Sequence, residues 1–171
     1  AQVVALSDIP RFAKVGVIAS IQPTHATSDM PWAEARVGPK RIEGAYAWRR
    51  LLSAGARLSG GSDFPVESHR PLLGFYAAIA RKDVSGNPPG GWRPRENLTR
   101  KEALALFTTG AAHAAFEEDR RGRIAVGYEA DLTIFASDPM SAPEGTIPSI
   151  PVVMTVVGGK VVFEAKVSPK P

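Results

Sequence analysis

The sequence predicts an α/β fold built on a parallel sheet or barrel and followed by a small β portion. Two apolar runs, 17–22 and 57–61, alternate with helical patterns, and strand, helix and strand in short succession are typical of parallel α/β folds. After Arg121 the pattern changes to short β segments separated by turn residues. We therefore divide the chain into an α/β portion, 1–121, and a small composite β portion, 122–171.

Composition places the chain among ordinary globular domains. It has 171 residues, of which 44% are hydrophobic and 22% charged, so it is neither disordered nor membrane-embedded. No apolar run approaches the length that spans a bilayer, and no membrane partner is expected. The net charge of +4 comes from scattered basic residues without an aromatic-interleaved basic stripe, so nucleic-acid binding is not expected.

The chain contains no cysteine, which excludes disulfides and thiolate metal sites and leaves His, Asp and Glu as possible metal ligands. Cysteine content does not determine the compartment, and a cytoplasmic location is our expectation. The sequence begins at Ala1 inside an apolar run, without a Met, so we expect a fragment or a processed chain. The missing signal peptide is therefore uninformative about export.

The chain opens with a short helix and a strand. Pro10 stands where helices start, and the predicted helix 11–14 ends near Gly16. The run 17–22 is nearly continuous and rich in branched residues, which predicts a strand buried on both faces. Pro23 ends this strand.

The next stretch is predicted to be irregular and then helical. Segment 24–38 has no regular pattern, with Trp32 in a loop or a single turn. An apolar stripe over 40–53 predicts an amphipathic helix, which Gly55 ends. The second strand, 57–61, follows directly.

Beyond that strand we predict a helix over 72–81, entered through Pro71. Segment 84–97 is a long Gly/Pro-rich loop, which is either a lid over a site or a flexible excursion. From their positions alone, this loop and Trp32 are candidates for shaping a substrate pocket.

Two further helices close the α/β portion. Thr99 followed three residues later by Glu102 is a capping box, which predicts a helix through Phe107. A second helix, 109–116, is made of small residues and is expected to pack closely against its neighbours.

The β portion is predicted from short runs between glycines. Gly158-Gly159 is a turn signal that predicts a hairpin of the last two strands, and the Pro-rich end, 168–171, is expected to fray. The predicted β segments are 122–124, 127–131, 132–135, 152–157 and 160–164.

One carboxylate stands out because of its place in the chain. Asp63 comes directly after the apolar strand 57–61 and is followed by Pro65. An acid at the C-terminal end of a strand is how an α/β barrel presents a catalytic or metal-binding group. The alternative is a helix-capping Asp in a turn, since Asp beside Gly and Pro is ordinary turn chemistry.

His25 has the corresponding position on the earlier strand, after 17–22 and Pro23. In a parallel barrel His25 and Asp63 would converge on one face, because site residues there come from different strand ends. A His nitrogen and an Asp oxygen are both ligands for zinc, and Asp can also accept a proton. The alternative for His25 is an ordinary surface-loop residue.

The other two histidines are weaker candidates. His69 could touch a substrate but is more typical of a solvated loop, and His113 lies among alanines as a packing or capping histidine. A nucleophile elbow is excluded because Phe64 stands where that pattern needs a second Gly. The sequence contains neither of the Gly-rich phosphate-binding motifs.

Six segments, spread over nearly the whole chain, carry a recognisable pattern. They are QPTH at 22–25, GSDFPV at 61–66, LTRKEAL at 98–104, TTGAAHAAF at 108–116, GRIAVGYEADLTIF at 122–135 and VVGGKVV at 156–162. In this order the segments resemble the metal-dependent amidohydrolase superfamily, in particular the branch that contains N-substituted formamide deformylase.

The resemblance implies a (β/α)₈ TIM barrel that binds one or two divalent ions, usually zinc, with a small β-sandwich built from both chain ends. His25 then matches the metal histidine after the sixth strand. Asp63 matches the acid after the eighth strand, which binds the metal and takes the proton from the attacking water. The implied activity is hydrolysis of C–N bonds in small-molecule amides by a metal-activated water.

The chain also departs from the family pattern. The His-x-His pair after the first strand, the acid or modified lysine after the fourth and the histidine after the fifth have no counterpart here. We therefore expect only the C-terminal part of the barrel and an incomplete metal site, since two ligands do not close a zinc shell.

The alternative hypothesis is a non-catalytic chain that associates with a complementary N-terminal half or with itself. Unpaired barrel strands would favour such association, including a homo-oligomer. The sequence does not identify the substrate, and we name no substrate-binding residue.

Overall fold

The computed structural model describes residues 1–166, which form an α/β chain, and the predicted fraying of 168–171 lies outside this range. The α-helices are α1 (Ile9–Val15), α2 (Pro23–Asp29), α3 (Ala33–Arg41), α4 (Trp48–Ser53), α5 (Pro71–Ala80), α6 (Arg100–Leu106) and α7 (Thr109–Ala114). The strands are β1 (Ala19–Ile21), β2 (Leu58–Gly60), β3 (Leu132–Phe135), β4 (Val152–Val157) and β5 (Lys160–Glu164). Short 3₁₀ turns cover Leu6–Asp8, Ile42–Gly44, Pro94–Glu96 and Glu144–Ser149.

The two predicted strands of the α/β portion pair in parallel. Ala19 lies opposite Leu58, and Ile21 lies opposite Gly60. Their connection passes through α2, α3 and α4, as a parallel pair requires. The prediction that the first strand is buried on both faces is wrong, because Ser20 is exposed between the buried Ala19 and Ile21.

Segment 24–38 was expected to be irregular, and this expectation is wrong. It contains α2 and most of α3. Pro23 occupies the first turn of α2, where its fixed φ favours a helix. The buried face of α2 consists of small residues packed against α5, so it lacks the large apolar periodicity that predicts a helix.

The single helix expected over 40–53 is interrupted. The chain leaves α3 at Arg41, passes through the 3₁₀ turn and an extended stretch, and re-enters a helix at Trp48. Tyr46 lies in the left-handed region at φ 50°. Its backbone N donates to Gln2 O at 2.8 Å and its carbonyl accepts from Arg81 Nη1 at 3.1 Å. These long-range bonds stabilise the break, which local periodicity cannot anticipate.

Helix α5 is almost entirely buried and packs against α2, α6 and the 3₁₀ turn Glu144–Ser149. The predicted capping box is confirmed at the start of α6, where the Thr99 hydroxyl accepts from Glu102 N and the Glu102 carboxylate accepts from Thr99 N. Helices α6 and α7 both pack on β2.

Segment 84–97 is largely without regular structure, as predicted, but it is anchored. The buried Arg81 donates from Nε to Trp92 O at 2.7 Å, and its guanidinium stacks 4.4 Å from the centre of the Trp48 ring. The Trp92 ring also packs edge-on against Tyr46. Within the described chain, no hydrogen bond or ion pair joins this segment to His25 or Asp63.

The C-terminal sheet is antiparallel in the order β3–β4–β5, and the predicted hairpin of β4 and β5 is confirmed. The β segments expected at 122–124 and 127–131 are wrong, since this stretch forms turns. Gly122 and Gly127 both have positive φ, which interrupts extended backbone.

The buried core joins both portions of the chain, because Ile147 and Ile150 belong to the same apolar cluster as residues of β1, β2 and α5. The division at residue 121 stays a prediction. No helix of residues 1–166 has the length and apolarity needed to cross a membrane.

Candidate functional site

The structure brings His25 and Asp63 together. Because β1 and β2 are parallel, their carboxyl ends lie at one edge of the sheet, and these two residues follow those ends. His25 Nε2 lies 3.8 Å from Asp63 Oδ2. Their roles as ligand and proton acceptor remain predictions.

His25 sits in the first turn of α2 and not in the loop that the sequence suggested. Its side chain is only 14% exposed, and its backbone N donates to Gln22 O at 3.1 Å. Within residues 1–166 the buried Nε2 atom has no hydrogen-bond partner. A buried polar atom without a partner is costly, so this nitrogen is suited to binding a ligand that faces it.

Asp63 occupies a tight turn after β2 with its backbone at φ 59°. Its carbonyl accepts from Val66 N at 2.8 Å, while the Ser62 hydroxyl accepts from Phe64 N at 3.3 Å. The carboxylate is 55% exposed and accepts no hydrogen bond from the described chain. The turn is therefore closed by the Asp63 carbonyl and not by its carboxylate, and the helix-capping alternative for Asp63 finds no support.

The two side chains fit part of a divalent-metal site. An imidazole nitrogen and a carboxylate oxygen bind zinc at roughly 2.0–2.2 Å, so atoms 3.8 Å apart can reach one ion. No group of three or more His, Asp or Glu residues suited to a metal occurs within residues 1–166. Residues 1–166 therefore bring together two candidate ligands, fewer than the three or four of a protein zinc site.

The predicted strand positions need a correction. β1 and β2 are hydrogen-bonded neighbours, and only helices lie between them in the chain. In a barrel whose strands follow chain order, neighbours are consecutive, so they cannot be the sixth and the eighth. If Asp63 follows the eighth strand, His25 follows the seventh. The prediction that His25 is a metal ligand then depends on its 3.8 Å distance from Asp63 and not on a match to the sixth-strand histidine.

The remaining histidines lie apart from this pair. His69 is exposed and its ring packs edge-on against Phe64, with centroids 5.6 Å apart. His113 Nδ1 lies 2.7 Å from Glu118 Oε1, and the ring also contacts the Arg57 guanidinium. These contacts agree with a structural role for His113.

Two hydrogen-bonded contacts near His25 were missed by sequence reasoning. On one side, Ser28 donates to Glu67 Oε1 at 2.6 Å. On the other, the Asp29 carboxylate accepts from the Tyr46 hydroxyl and, at 2.8 Å, from Gln2 Nε2. The signal that could have located them is the helix start at Pro23, because it places residues 28 and 29 one turn after His25.

Electrostatics explain why Tyr46 acts as a donor. Burial, and after it the hydrogen bond to the Asp29 carboxylate, raises the pKa of the Tyr46 hydroxyl above its ordinary value. The hydroxyl therefore stays protonated across the physiological range and donates to Asp29. This partly buried bond joins the C-terminal end of α2 to Tyr46.

Two cavities lined by described residues bear on the candidate residues. Trp32 lines one of about 230 Å³, together with Gln2, Val37 and Tyr46. The other, of about 400 Å³, lies at the amino end of β2 and is lined by Arg57 and His113. Since Asp63 follows the opposite end of β2, the larger cavity is separate from the His25–Asp63 edge.

Comparison with known proteins identifies relatives along the whole described chain. A family model described as "Amidohydrolase family" matches residues 1–163. The protein YtcJ of Bacillus subtilis (strain 168) is 36% identical over 164 residues, which cover 96% of this chain and 31% of YtcJ. N-substituted formamide deformylase of Arthrobacter pascens is 33% identical over 116 residues, which cover 68% of this chain and 21% of the enzyme.

The fold agrees with these matches. The crystal structure of a metal-dependent hydrolase from Pyrococcus horikoshii OT3 superposes with a TM-score of 0.73 at 28% identity, covering 85% of this chain and 29% of that one. The chain thus spans less than a third of the length of each of these three proteins. The expected resemblance to amidohydrolases, including the deformylase branch, is confirmed.

Proposed function

The chain belongs to the amidohydrolase family, and from this premise we propose that it forms the C-terminal part of a (β/α)₈ metal-dependent hydrolase that cleaves C–N bonds of small-molecule amides. The observation that supports the proposal is the 3.8 Å approach of His25 Nε2 to Asp63 Oδ2 at the carboxyl ends of two parallel strands. The proposed activity and substrate are those of a whole hydrolase, because the chain spans less than a third of the length of the three relatives compared with it.

His25 and Asp63 would hold a divalent ion, and zinc is the ion best matched to a nitrogen and a carboxylate oxygen. When bound, the ion supplies Lewis-acid chemistry, lowering the pKa of water and polarising the substrate carbonyl. The remaining ligands would come from elsewhere in the protein, because residues 1–166 contain no third one.

Asp63 carries the proton transfers. Its exposed carboxylate is open to solvent and substrate, so it can accept a proton from the water that attacks the amide carbon. The protonated carboxyl then donates that proton to the amide nitrogen as the C–N bond breaks, which returns Asp63 to its starting form. His25, held on α2, would bind the ion through Nε2, which has no hydrogen-bond partner within residues 1–166.

A non-catalytic associating chain is not favoured, because the family match extends over both predicted portions of the chain. Association with an upstream segment is compatible with catalysis, since the missing ligands must come from such a segment. An amide-type substrate with a substituent on nitrogen is a natural first probe, given the deformylase relative.

The test combines metal binding with turnover. The chain, alone and together with the upstream part of a relative such as YtcJ, is assayed for bound zinc and for hydrolysis of an N-substituted formamide. Asp63→Ala should lower turnover of the reconstituted enzyme by roughly 10²–10⁴-fold, which is the usual contribution of a general acid–base group. His25→Ala should weaken metal binding.

His69→Ala is the matched control, because this exposed histidine lies on the same loop as Asp63 without touching the His25–Asp63 pair. It should leave metal content and turnover unchanged. If Asp63→Ala retains full turnover in the reconstituted enzyme, the proposed mechanism is wrong.

A further inference from the structure

We propose that the hydrogen bond from Ser28 to Glu67 sets the position of the Asp63 carboxylate relative to His25. The inference rests on the proposed function, since it assigns Ser28 and Glu67 as positioning residues for the pair of ligands. Ser28 lies on α2, three residues after His25, and Glu67 lies four residues after Asp63. The bond therefore joins the helix that carries one ligand to the loop that carries the other.

Helix α2 is the fixed partner in this contact. Pro23, Thr24 and Ala26 are buried against α5. At its C-terminal end, Asp29 is bonded to Tyr46 and Gln2. His25 thus projects from a helix that is held along its length and at its end.

The loop 61–70 is the less restrained partner, because few contacts hold its middle. Phe64 is 65% exposed and Val66 is 71% exposed, so the loop has no apolar anchor. Within the described chain, residues 62–69 make one side-chain hydrogen bond to another element, and this is the Ser28–Glu67 bond. The next hydrogen bond to another element comes after the turn, where Arg70 Nη2 donates to Pro148 O at 2.7 Å.

The bond is short and lies at the protein surface. A hydroxyl that donates to a carboxylate at 2.6 Å is charge-assisted, and such bonds are about twice as strong as neutral ones. The acceptor of this bond is the Glu67 carboxylate. Glu67 belongs to no group of three or more possible metal ligands within residues 1–166. Glu67 therefore restrains the loop, and Asp63 remains free to bind the ion.

Two readouts test the proposal in the 171-residue chain, and one of them needs no metal. Hydrogen exchange of the Val66 amide, which is bonded to Asp63 O, reports on the loop. A Co²⁺ titration monitored by visible absorption measures the affinity of His25 and Asp63 for the metal. Ser28→Ala should speed exchange of the Val66 amide about tenfold and weaken Co²⁺ binding roughly three- to tenfold.

Ser28→Thr keeps the hydroxyl, so its Val66 exchange rate and its Co²⁺ affinity should both match those of the wild type. Ser141→Ala is the matched control, because Ser141 also donates to a carboxylate, Asp138 Oδ2 at 2.8 Å, but in a turn remote in sequence from both ligands. It should change neither exchange of Val66 nor Co²⁺ binding. Thermal unfolding of each variant checks that the fold is intact.

The outcomes separate this inference from the proposed function. Unchanged Val66 exchange in Ser28→Ala overturns the inference, and so does faster exchange with unchanged Co²⁺ affinity. If His25→Ala and Asp63→Ala both leave the Co²⁺ affinity at its wild-type value, the proposed metal site is wrong. In that case the Val66 exchange alone decides whether Ser28 restrains the Asp63 loop.

Discussion

At the scale of single residues, Asp63 combines an unusual backbone conformation with a carboxylate that lies 3.8 Å from His25 Nε2 and accepts no hydrogen bond from residues 1–166. Its φ of 59° lies in the left-handed region, which costs most L-residues free energy but is tolerated by Asp. Strained positions of this kind cluster at functional sites, where the surrounding structure maintains them. Here the strand pairing of Gly61 N with Ile21 O, at 3.1 Å, sets the start of the turn.

The charge of Glu102 contributes to stability in a pH-dependent way. Its carboxylate accepts from Arg49 Nη1 at 2.6 Å and Nη2 at 2.5 Å, and from Thr99 N at 2.7 Å. The Arg49 hydrogen bonds are the largest cause that lowers the pKa of Glu102 from 4.5 to about 2. A carboxyl whose pKa is depressed in the folded state stabilises the fold above its unfolded pKa.

We therefore expect Glu102→Gln to lower the free energy of unfolding by about 1 kcal/mol at pH 7, since the bond to Arg49 is partly exposed to solvent. The difference from wild type should shrink as the pH falls from 4.5 towards 2, where the carboxyl of the folded state takes up its proton. Urea denaturation at several pH values measures this.

Glu34→Gln serves as the control, because Glu34 is exposed and makes no ion pair in the described chain. It should change the free energy of unfolding by less than about 0.5 kcal/mol. A pH-independent effect of Glu102→Gln would show that the charge of Glu102 is unimportant.

At the scale of elements, close packing on β2 depends on small residues. A Cβ added at Gly110 of α7 would collide with the backbone oxygen of Leu58 and lie 2.9 Å from that of Ala105. Backbone oxygens cannot move aside as a flexible side chain can. The prediction that the 109–116 helix packs closely because of its small residues agrees with this contact.

Gly110→Ala should therefore destabilise the protein by about 2 kcal/mol, although alanine is the better helix former. Thermal and urea unfolding measure the loss. Gly145→Ala is the matched control, since nothing lies within 4 Å of its added Cβ. Equal stability of the two variants would contradict the packing argument.

Element boundaries also show where local rules stop. The hairpin of β4 and β5 follows from Gly158-Gly159, both at positive φ, because a tight turn needs that backbone. The helix break before Trp48 instead depends on Arg81 and Gln2, which bond the Tyr46 backbone from distant parts of the chain.

At the scale of the whole molecule, the described chain leaves sheet edges open. β1 and β2 pair only with each other, and β5 pairs only with β4 among the described strands. All five residues of β5 are exposed, including Val161, Val162 and Phe163. An apolar strand at an open edge favours pairing with another chain.

We expect the chain to self-associate with rising concentration and Val162→Lys to weaken this association about tenfold, because a charge on an edge strand opposes pairing. Sedimentation velocity over a concentration series measures it. Val84→Lys is the control, since Val84 is exposed at 71% but lies in a loop. Identical behaviour of the two Lys variants would rule out β5 as the contact.

Much of this protein follows from its sequence because the relevant signals act over a few residues. The two parallel strands, the capping box at Thr99, the C-terminal hairpin and the placement of His25 and Asp63 after strands all come from apolar runs, turn residues and caps. The likeness to amidohydrolases came from six such segments in order, and it is confirmed by the family match.

Several element boundaries and all side-chain distances were decided by the tertiary structure alone. It made α2 helical through burial of small residues against α5, interrupted the helix expected over 40–53 at Tyr46, and placed β1 directly beside β2. It also set the 3.8 Å separation of His25 and Asp63 and the Ser28–Glu67 contact. Each of these depends on atoms far apart in the chain, whose contacts the local pattern of residues does not specify.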